Sequence, residues 1–347
     1  MSSQLVHVGL AEIKPTLLAS DRLQKLPILI LNVHERCNCR CLMCDIWKRS
    51  NAGELTTEEL TRHRESIINL GVRQVVLTGG EPLLHSHLEA LCSFLRECGV
   101  TITLLSTGLL LKKRAELVAT LTDEVIVSLD GPEEIHDRVR RVRGGFQLIR
   151  DGILALRQLN PSLPIRGRST VQRANYSSLR QTVQAARSLG LDSISFLAAD
   201  VTSQAFNREL VWPGERQNEI ALSATEILVL EREIDLLISE HGNDFNSRFI
   251  VESPEKLRRI ARHFRAHLGQ VSSEAPKCNA PWVSAVVEVD GSVRPCFFHP
   301  KTGSLEASTL EEALNNEEAR AFRSTLNVQE NSTCKRCVCS LHYTQAS

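Results

Sequence analysis

A chain of 347 residues is long enough for one large α/β domain with a smaller unit attached. Its 42% apolar content is ordinary for a protein with a real core, and its 41 Lys and Arg balance its 41 Asp and Glu, which argues against a dedicated nucleic-acid or anionic-membrane binder. The residues up to Gln24 lack a charged start leading into an apolar run and a cleavage site, and no stretch approaches the roughly 20 apolar residues of a spanning helix, so a cytoplasmic chain without a membrane segment is expected. In that compartment 11 cysteines, nine of them in two clusters, read as metal ligands before disulfides. The other two, Cys92 and Cys98, sit in a helical pattern and read as small buried residues.

After a polar lead over residues 1–26, short β-rich runs alternate with longer helical patterns. The apolar run from Ile28 to Val33 is the first strand, and Thr56 with Glu59 forms a capping box that opens a helix to about Leu70. Strands follow over 72–77, 100–105, 124–129, 164–171 and 192–197, with helices expected near 86–98, 112–121, 146–159 and 177–189. Six β–α repeats predict a parallel sheet with crossover helices. From Gln204 the pattern turns helical. Ser223 and Glu226 form a second capping box, and Ser253-Pro254 opens a further helix to about Leu268. The polar stretch from Gly269 to Lys277 reads as a linker, which divides the chain into a sheet domain at 27–203, a helical bridge at 204–268 and a C-terminal unit at 269–347.

Periodicity alone does not separate an open sheet from a barrel, but the polar clusters do discriminate. The first cysteines, Thr78 to Pro82, Ser106-Thr107-Gly108 and Ser128 to Gly131 each fall at the C-terminal end of a strand. Four successive strand ends face one ligand only where parallel strands curve around it. The expected fold class is therefore α/β, a six-stranded partial (β/α)6 TIM-type barrel with a small Cys-rich hairpin-plus-helix domain.

Cys37, Cys39, Cys41 and Cys44 lie within eight residues after the first strand, a spacing that lets thiolates converge on one soft metal centre. The residues alone leave open an iron–sulfur site, a zinc knot with Cys39 as fourth ligand, or a redox thiol pair. One β–α unit later, Gly79-Gly80-Glu81-Pro82 allows close backbone approach and offers a carboxylate to an ammonium group. Far downstream, Cys278 precedes a strand-like run that turns at Asp290-Gly291, Cys296 follows, and Cys334 and Cys337 form a CxxC with Cys339 beyond. Such a set suits tetrahedral zinc or a fully ligated [4Fe–4S] cluster equally well.

The x3 then x2 spacing of Cys37, Cys41 and Cys44, joined to the Gly-Gly-Glu-Pro run, resembles the radical S-adenosylmethionine (radical SAM) superfamily. The resemblance implies that these three cysteines hold a [4Fe–4S] cluster whose open iron is chelated by S-adenosylmethionine. It implies Gly79, Gly80 and Glu81 at the cosubstrate's amino group, Ser128 and Arg140 at its carboxylate, and Ser106 and Thr107 at its ribose. Met43 would lie against adenine, at a position often aromatic in the family. Arg138, Arg141 and Arg143 crowd Arg140 in what reads as one loop, and Cys39 has no place in the motif. Cys278, Gly291, Cys296, Cys334 and Cys337 resemble the truncated SPASM or "twitch" extension, implying one auxiliary [4Fe–4S] cluster and leaving Cys339 unassigned.

By this resemblance the chain is expected to cleave S-adenosylmethionine reductively and abstract a hydrogen atom from a peptide or small natural-product-like substrate. The auxiliary cluster would assist oxidation, and a flavodoxin- or ferredoxin-type protein would donate electrons. A redox-neutral epimerase, with Cys339 or Cys39 returning a hydrogen atom, and a non-catalytic zinc or iron–sulfur module are the alternatives. A related enzyme of molybdenum-cofactor assembly is set aside, because the sequence given ends Gln345-Ala346-Ser347 rather than Gly-Gly. The 27 residues ahead of Ile28 are too few for a leader-peptide-binding core, so the expected substrate is small or is presented by a separate peptide-binding protein.

Overall fold

The computed structural model describes residues 21–49, 53–205 and 210–344, so most of the N-terminal lead lies outside the described residues. Strands β1 (Ile28–His34), β2 (Gln74–Gly79), β3 (Thr101–Ser106), β4 (Glu124–Ser128), β5 (Ile165–Val171) and β6 (Ser193–Ala198) lie in chain order, each parallel to the next. The crossovers are α1 (Thr57–Thr61) with α2 (Arg64–Asn69), α3 (Leu88–Glu97), α4 (Ala115–Leu121), α5 (Glu133–Arg140) with α6 (Gly145–Leu159), and α7 (Leu179–Ser188). The expected six-stranded β/α architecture is present.

Alternation along the strands sorts the side chains into two layers. Leu29, Leu31, Val33, Val75, Leu77, Ile102, Leu104, Val125 and Val127 are buried in the main core. Their neighbours Ile28, Ile30, Val76, Leu105 and Ile126 point the other way and line an interior cavity. Lower in the same interior a polar belt runs from strand to strand. Gln74 Nε2 donates to Thr103 Oγ1 at 2.8 Å, Thr103 Oγ1 to Glu124 Oε2 at 3.1 Å, and Arg166 pairs with Glu124.

Local signals explain several boundaries. The Thr56–Glu59 capping box forms, with Glu59 N donating to Thr56 Oγ1 at 3.2 Å and Thr56 N to Glu59 Oε2 at 2.8 Å. The single helix expected up to Leu70 is nonetheless two, because the buried His63 takes φ −109°, ψ 9°, outside the helical well. The supposed arginine loop is helical: Arg138 and Arg140 belong to α5, and Arg141 ends it in the left-handed region at φ 55°. That helix escapes a periodicity reading because its buried apolar content is sparse.

The bridge comprises α8 (Gly214–Ile220), α9 (Ala224–Glu240), α10 (Gly242–Asn246) and α11 (Pro254–His267), with the expected caps at Ser223 and Ser253. Its residues close one sheet edge, since Ile194 N on β6 donates to Phe249 O at 2.7 Å and Val251 N donates back to Ile194 O at 3.0 Å. The opposite edge continues into the C-terminal unit. After α12 (Ala280–Val283), β7 (Ser284–Val287) pairs in parallel with β1, from Ile28 opposite Ser284 to Leu31 opposite Val287. β8 (Ser292–Arg294) and β9 (Gly303–Ser304) extend the sheet antiparallel, and Gly291 turns the β7–β8 hairpin at φ +74°. Helices α13 (Leu310–Asn315), α14 (Glu317–Thr325) and α15 (Ser332–Lys335) complete the unit. Among the described residues no helix is long and apolar enough to cross a membrane.

Candidate functional site

The Cys37–Cys44 loop leaves the C-terminal end of β1 and is held mainly through its backbone. Arg40 N donates to Arg140 O at 3.3 Å and Leu42 N to Val139 O at 3.0 Å, so the loop rests on the end of α5. From the bridge, Arg216 donates to Leu42 O and Trp212 Nε1 donates to Asp45 Oδ2 at 2.6 Å; Trp47 Nε1 donates to Cys44 O at 2.9 Å. Cys37 and Cys44 are half-buried, while Cys39 and Cys41 are buried. The Cys39 thiol bonds both Cys37 and Cys41, which raises its own pKa strongly. Cys41 is drawn down to about 6, first by the bond from Cys39 and then, against burial, by the guanidinium of Arg140.

The paired glycines face the cysteine loop itself. A Cβ on Gly79 would stand 2.4 Å from His34 O, and one on Gly80 would stand 2.1 Å from Arg36 O. Gly80 N and Glu81 N donate to those carbonyls at 2.6 and 2.8 Å. Bare backbone at this point therefore clamps the end of β2 to the residues that lead into Cys37. A Gly80→Ala change is expected to cost roughly 1–3 kcal/mol through overpacking and to lower iron retention at the first thiol set. Denaturant titration with iron analysis checks this, and an unchanged midpoint with full iron would contradict it.

Glu81 is fully buried, and its carboxylate is saturated by the chain's own donors. Oε1 accepts from Ser106 Oγ at 2.9 Å and Leu83 N at 3.0 Å, and Oε2 accepts from Thr107 N and Oγ1, each at 2.7 Å. Burial pushes its pKa up and these bonds oppose the shift. Ser106 and Thr107 thus tie the ends of β2 and β3 together through Glu81. Thr107 Oγ1 also lies 2.9 Å from Asn38 Oδ1, while Asn38 Nδ2 is buried with no partner. The one hydroxyl proton of Thr107 goes to Glu81, so the amide of Asn38, a residue the sequence reading had not singled out, satisfies this contact in its flipped orientation, with Nδ2 donating to Thr107 Oγ1.

Arg140 is likewise committed within the fold. Its Nε donates to Asp130 Oδ2 at 2.6 Å and its Nη1 to Cys41 Sγ at 3.5 Å, with Asp130 wholly buried and the guanidinium nearly so. Asp130 is itself fixed by Thr170 N, which donates to Oδ1 at 2.9 Å. Ser128 stands at the end of β4 opposite Arg168 of β5, and Met43 is half-buried against the core.

The second thiol set frames the barrel interior. Cys278, Cys296, Cys334, Cys337 and Cys339 line a cavity of about 360 Å³ whose far wall is Ile28, Val76, Leu105 and Ile126. Ala280 N donates to Cys278 Sγ at 3.5 Å, His299 Nε2 lies 3.3 Å from Cys334 Sγ, and Cys337 Sγ lies 2.9 Å from Cys339 O. Burial pushes Cys296 and Cys334 up to about 11, and Phe298 N and His299 N oppose the shift at Cys296 by bonding its sulfur. Among the described residues no three His, Cys, Asp or Glu side chains converge tightly enough to hold a single ion. The five thiols share one cavity wall, and soft donors of this kind suit an iron–sulfur cluster.

Among the described residues the lumen cations differ in how closely a carboxylate meets them. Glu124 pairs with Arg166, and Glu252 accepts from Phe196 N at 2.8 Å with Lys256 Nζ 3.6 Å away. Arg168 lines the cavity with Ser195 Oγ 3.4 Å from its Nε, and its charge acts on the buried Glu252, opposing the rise that burial gives that carboxyl's pKa.

Known proteins bear on both thiol sets. Residues 31–185 match the model of the radical SAM superfamily, and residues 278–338 match that of SPASM, an iron–sulfur cluster-binding domain. The AdoMet-dependent heme synthase of Methanosarcina barkeri is 30% identical over 206 residues, 54% of this chain and 58% of that protein. The antilisterial bacteriocin subtilosin biosynthesis protein AlbA of Bacillus subtilis is 25% identical over 275 residues, 78% of this chain and 54% of its own length. The chain thus spans little more than half the length of these two relatives. Streptococcus suis SuiB, solved bound to S-adenosylmethionine, superposes with a TM-score of 0.62 at 15% identity, over 92% of this chain and 74% of that one, a likeness of fold.

Proposed function

We propose that this chain, a radical SAM protein with a C-terminal SPASM iron–sulfur domain, abstracts a hydrogen atom from a peptide substrate and completes its turnover by oxidation. The domains call for a [4Fe–4S] cluster with S-adenosylmethionine and for auxiliary iron–sulfur. In this reading Cys37, Cys41 and Cys44 hold the first cluster, and Cys278, Cys296, Cys334 and Cys337 hold one auxiliary cluster. The residues fit: soft donors stand in a set of three at the end of β1 and a set of four around the cavity. When bound, these groups supply the radical that takes the hydrogen atom.

The chain's own residues bind, orient and exclude water. Gly79 and Gly80 clamp β2 against the first thiol loop, and Glu81 locks β2 to β3 so that Ser106 and Thr107 present a fixed edge to the cosubstrate's ribose. Met43 flanks its adenine and Ser128 its carboxylate. Arg140, held by Asp130 against Cys41, acts as a positioning residue, and this displaces the role the resemblance implied for it. The lumen-facing Arg168 receives a carboxylate of the peptide. Arg168→Gln is then expected to weaken acidic-peptide binding about tenfold with S-adenosylmethionine binding unchanged, as read by equilibrium titration. Equal loss for both ligands would reassign that guanidinium to the cosubstrate.

One observation carries the proposal: the first thiol set sits at the carboxyl ends of the strands, and the second walls the cavity those strands enclose. The peptide reading draws on AlbA, named for bacteriocin biosynthesis, and on SuiB, also solved with its precursor peptide SuiA. A second reading has its own observation. Cys339 lines the cavity outside the four-thiol set, where it could return a hydrogen atom in a redox-neutral epimerisation, whereas the buried Cys39 lies between Cys37 and Cys41. Anaerobic incubation with deuterated candidate peptides separates the two. Label in 5′-deoxyadenosine and a product lighter by two hydrogens support oxidation, while solvent deuterium at an otherwise unchanged centre overturns it in favour of epimerisation.

A further inference from the structure

Beside the Cys334–Cys337 turn lies a second cavity of about 170 Å³ between α11, the coil after β6 and that turn, sharing Cys337 with the lumen cavity. Four permanent or near-permanent cations line it, Arg259, Arg262, Lys335 and Arg336, against one carboxylate, Glu274, which is already paired with Arg262 at 2.5 Å. Three polar atoms of the lining residues are buried without any hydrogen-bond partner: Thr202 Oγ1, Arg262 Nε and His263 Nε2. Native interiors seldom leave one such atom unsatisfied, and three around a single cavity mark a place built to be filled.

Their chemistry defines the occupant. Arg262 Nε–H donates and Thr202 can donate, so two of the orphans seek an anionic acceptor. His263 differs. Its other ring nitrogen bonds the Ala199 carbonyl and burial holds the ring neutral, with a pKa near 4, which leaves Nε2 as a lone-pair acceptor in need of a proton donor. A ligand that presents both charged oxygens and a hydroxyl on one small centre satisfies all three. Hydrogen phosphate does so, and sulfate, which carries no proton at neutral pH, does not.

We propose that the cavity formed by Thr202, Arg262 and His263, with Arg259, Lys335 and Arg336 at its walls, is a binding site for inorganic phosphate that borders the lumen cavity at Cys337, a residue lining both. The ligand is inorganic phosphate, because the terminus of a phosphate ester, with a second pKa of about 6, is largely unprotonated at neutral pH and lacks the hydroxyl that His263 Nε2 requires, and the cavity volume limits the occupant to a small ion.

The test uses the anaerobically purified, iron-loaded full chain. Phosphate, adenosine monophosphate and sulfate are titrated calorimetrically at matched ionic strength. Saturable phosphate binding at one per chain is expected, with sulfate at least tenfold weaker. Phosphate should bind more tightly than adenosine monophosphate, and preference for the ester would overturn the role given to His263 as acceptor of a phosphate hydroxyl. Arg262→Gln should weaken binding at least tenfold. Glu274→Gln, which removes a carboxylate of the lining, should leave it equal or tighter and serves as the variant whose folding is not at risk. Absence of saturable binding to the unaltered chain, equal affinity for phosphate and sulfate, or binding indifferent to Arg262→Gln would each overturn the proposal.

Discussion

Replacing Cys37, Cys41 and Cys44 together by alanine is expected to abolish reductive cleavage of S-adenosylmethionine and to remove about half of the iron, four of about eight atoms per chain, while the protein stays folded. The loop these thiols occupy is fastened by groups that the substitutions do not touch: the Arg40 and Leu42 amides on α5, and Arg216 on the Leu42 carbonyl. Arg140 keeps its partner Asp130 when the Cys41 sulfur is gone, so no buried charge is left unpaired. The second thiol set lies across the barrel on other elements and should fill independently. Iron analysis and the cluster's visible absorption read the outcome. Loss of all iron would show that the two sites do not assemble separately, and zinc in place of iron would return the first site to a structural role.

How much of this was legible in the sequence depends on the range over which each feature is encoded. Capping boxes act over three residues, so Thr56 with Glu59 and Ser223 with Glu226 located helix starts that the fold confirms. Five of the six strands announced themselves as short β-rich runs dominated by apolar residues, while β5 (Ile165–Val171) alternates buried Ile165, Gly167 and Ser169 with exposed Arg166 and Arg168. The pairing of β7 with β1 was not legible, since two strands about 250 residues apart in the chain carry no local mark of their adjacency, and the hairpin turn at Asp290-Gly291 encodes only the antiparallel partner.

Site residues divide in the same way. Cysteine spacing exposed both thiol sets because ligand geometry is compressed into short sequence intervals. Glu81 was visible as a carboxylate, but the four donors that consume its lone pairs come from η-turn and strand-end positions up to 26 residues away, and only the folded register brings them together. Asp130 illustrates the opposite failure. It lies in the Ser-Leu-Asp-Gly-Pro run that was read for its serine, yet it is the aspartate that captures Arg140 and fixes the floor beneath the first thiol loop.

The second large effect is expected from Cys278→Ala combined with Cys296→Ala. Substrate turnover should cease and about half of the iron should be lost, yet S-adenosylmethionine cleavage without substrate should persist under dithionite. Cys278 adjoins the other thiols of its set and precedes β7, while Cys296 follows β8, so the pair removes one whole side of the ligand frame. What holds β7 beside β1 is main-chain pairing from Ser284 to Val287 and the burial of Ala285, Val286 and Val287, none of which involves sulfur. The first thiol loop should therefore keep its footing on β1. The opposing consideration is that a cluster also supplies folding energy to a unit as small as this one. Loss of cleavage along with turnover, accompanied by a lower unfolding midpoint, would show that this energy is what keeps β7 against β1, and that the strand leading into Cys37 depends on the auxiliary site for its place in the sheet.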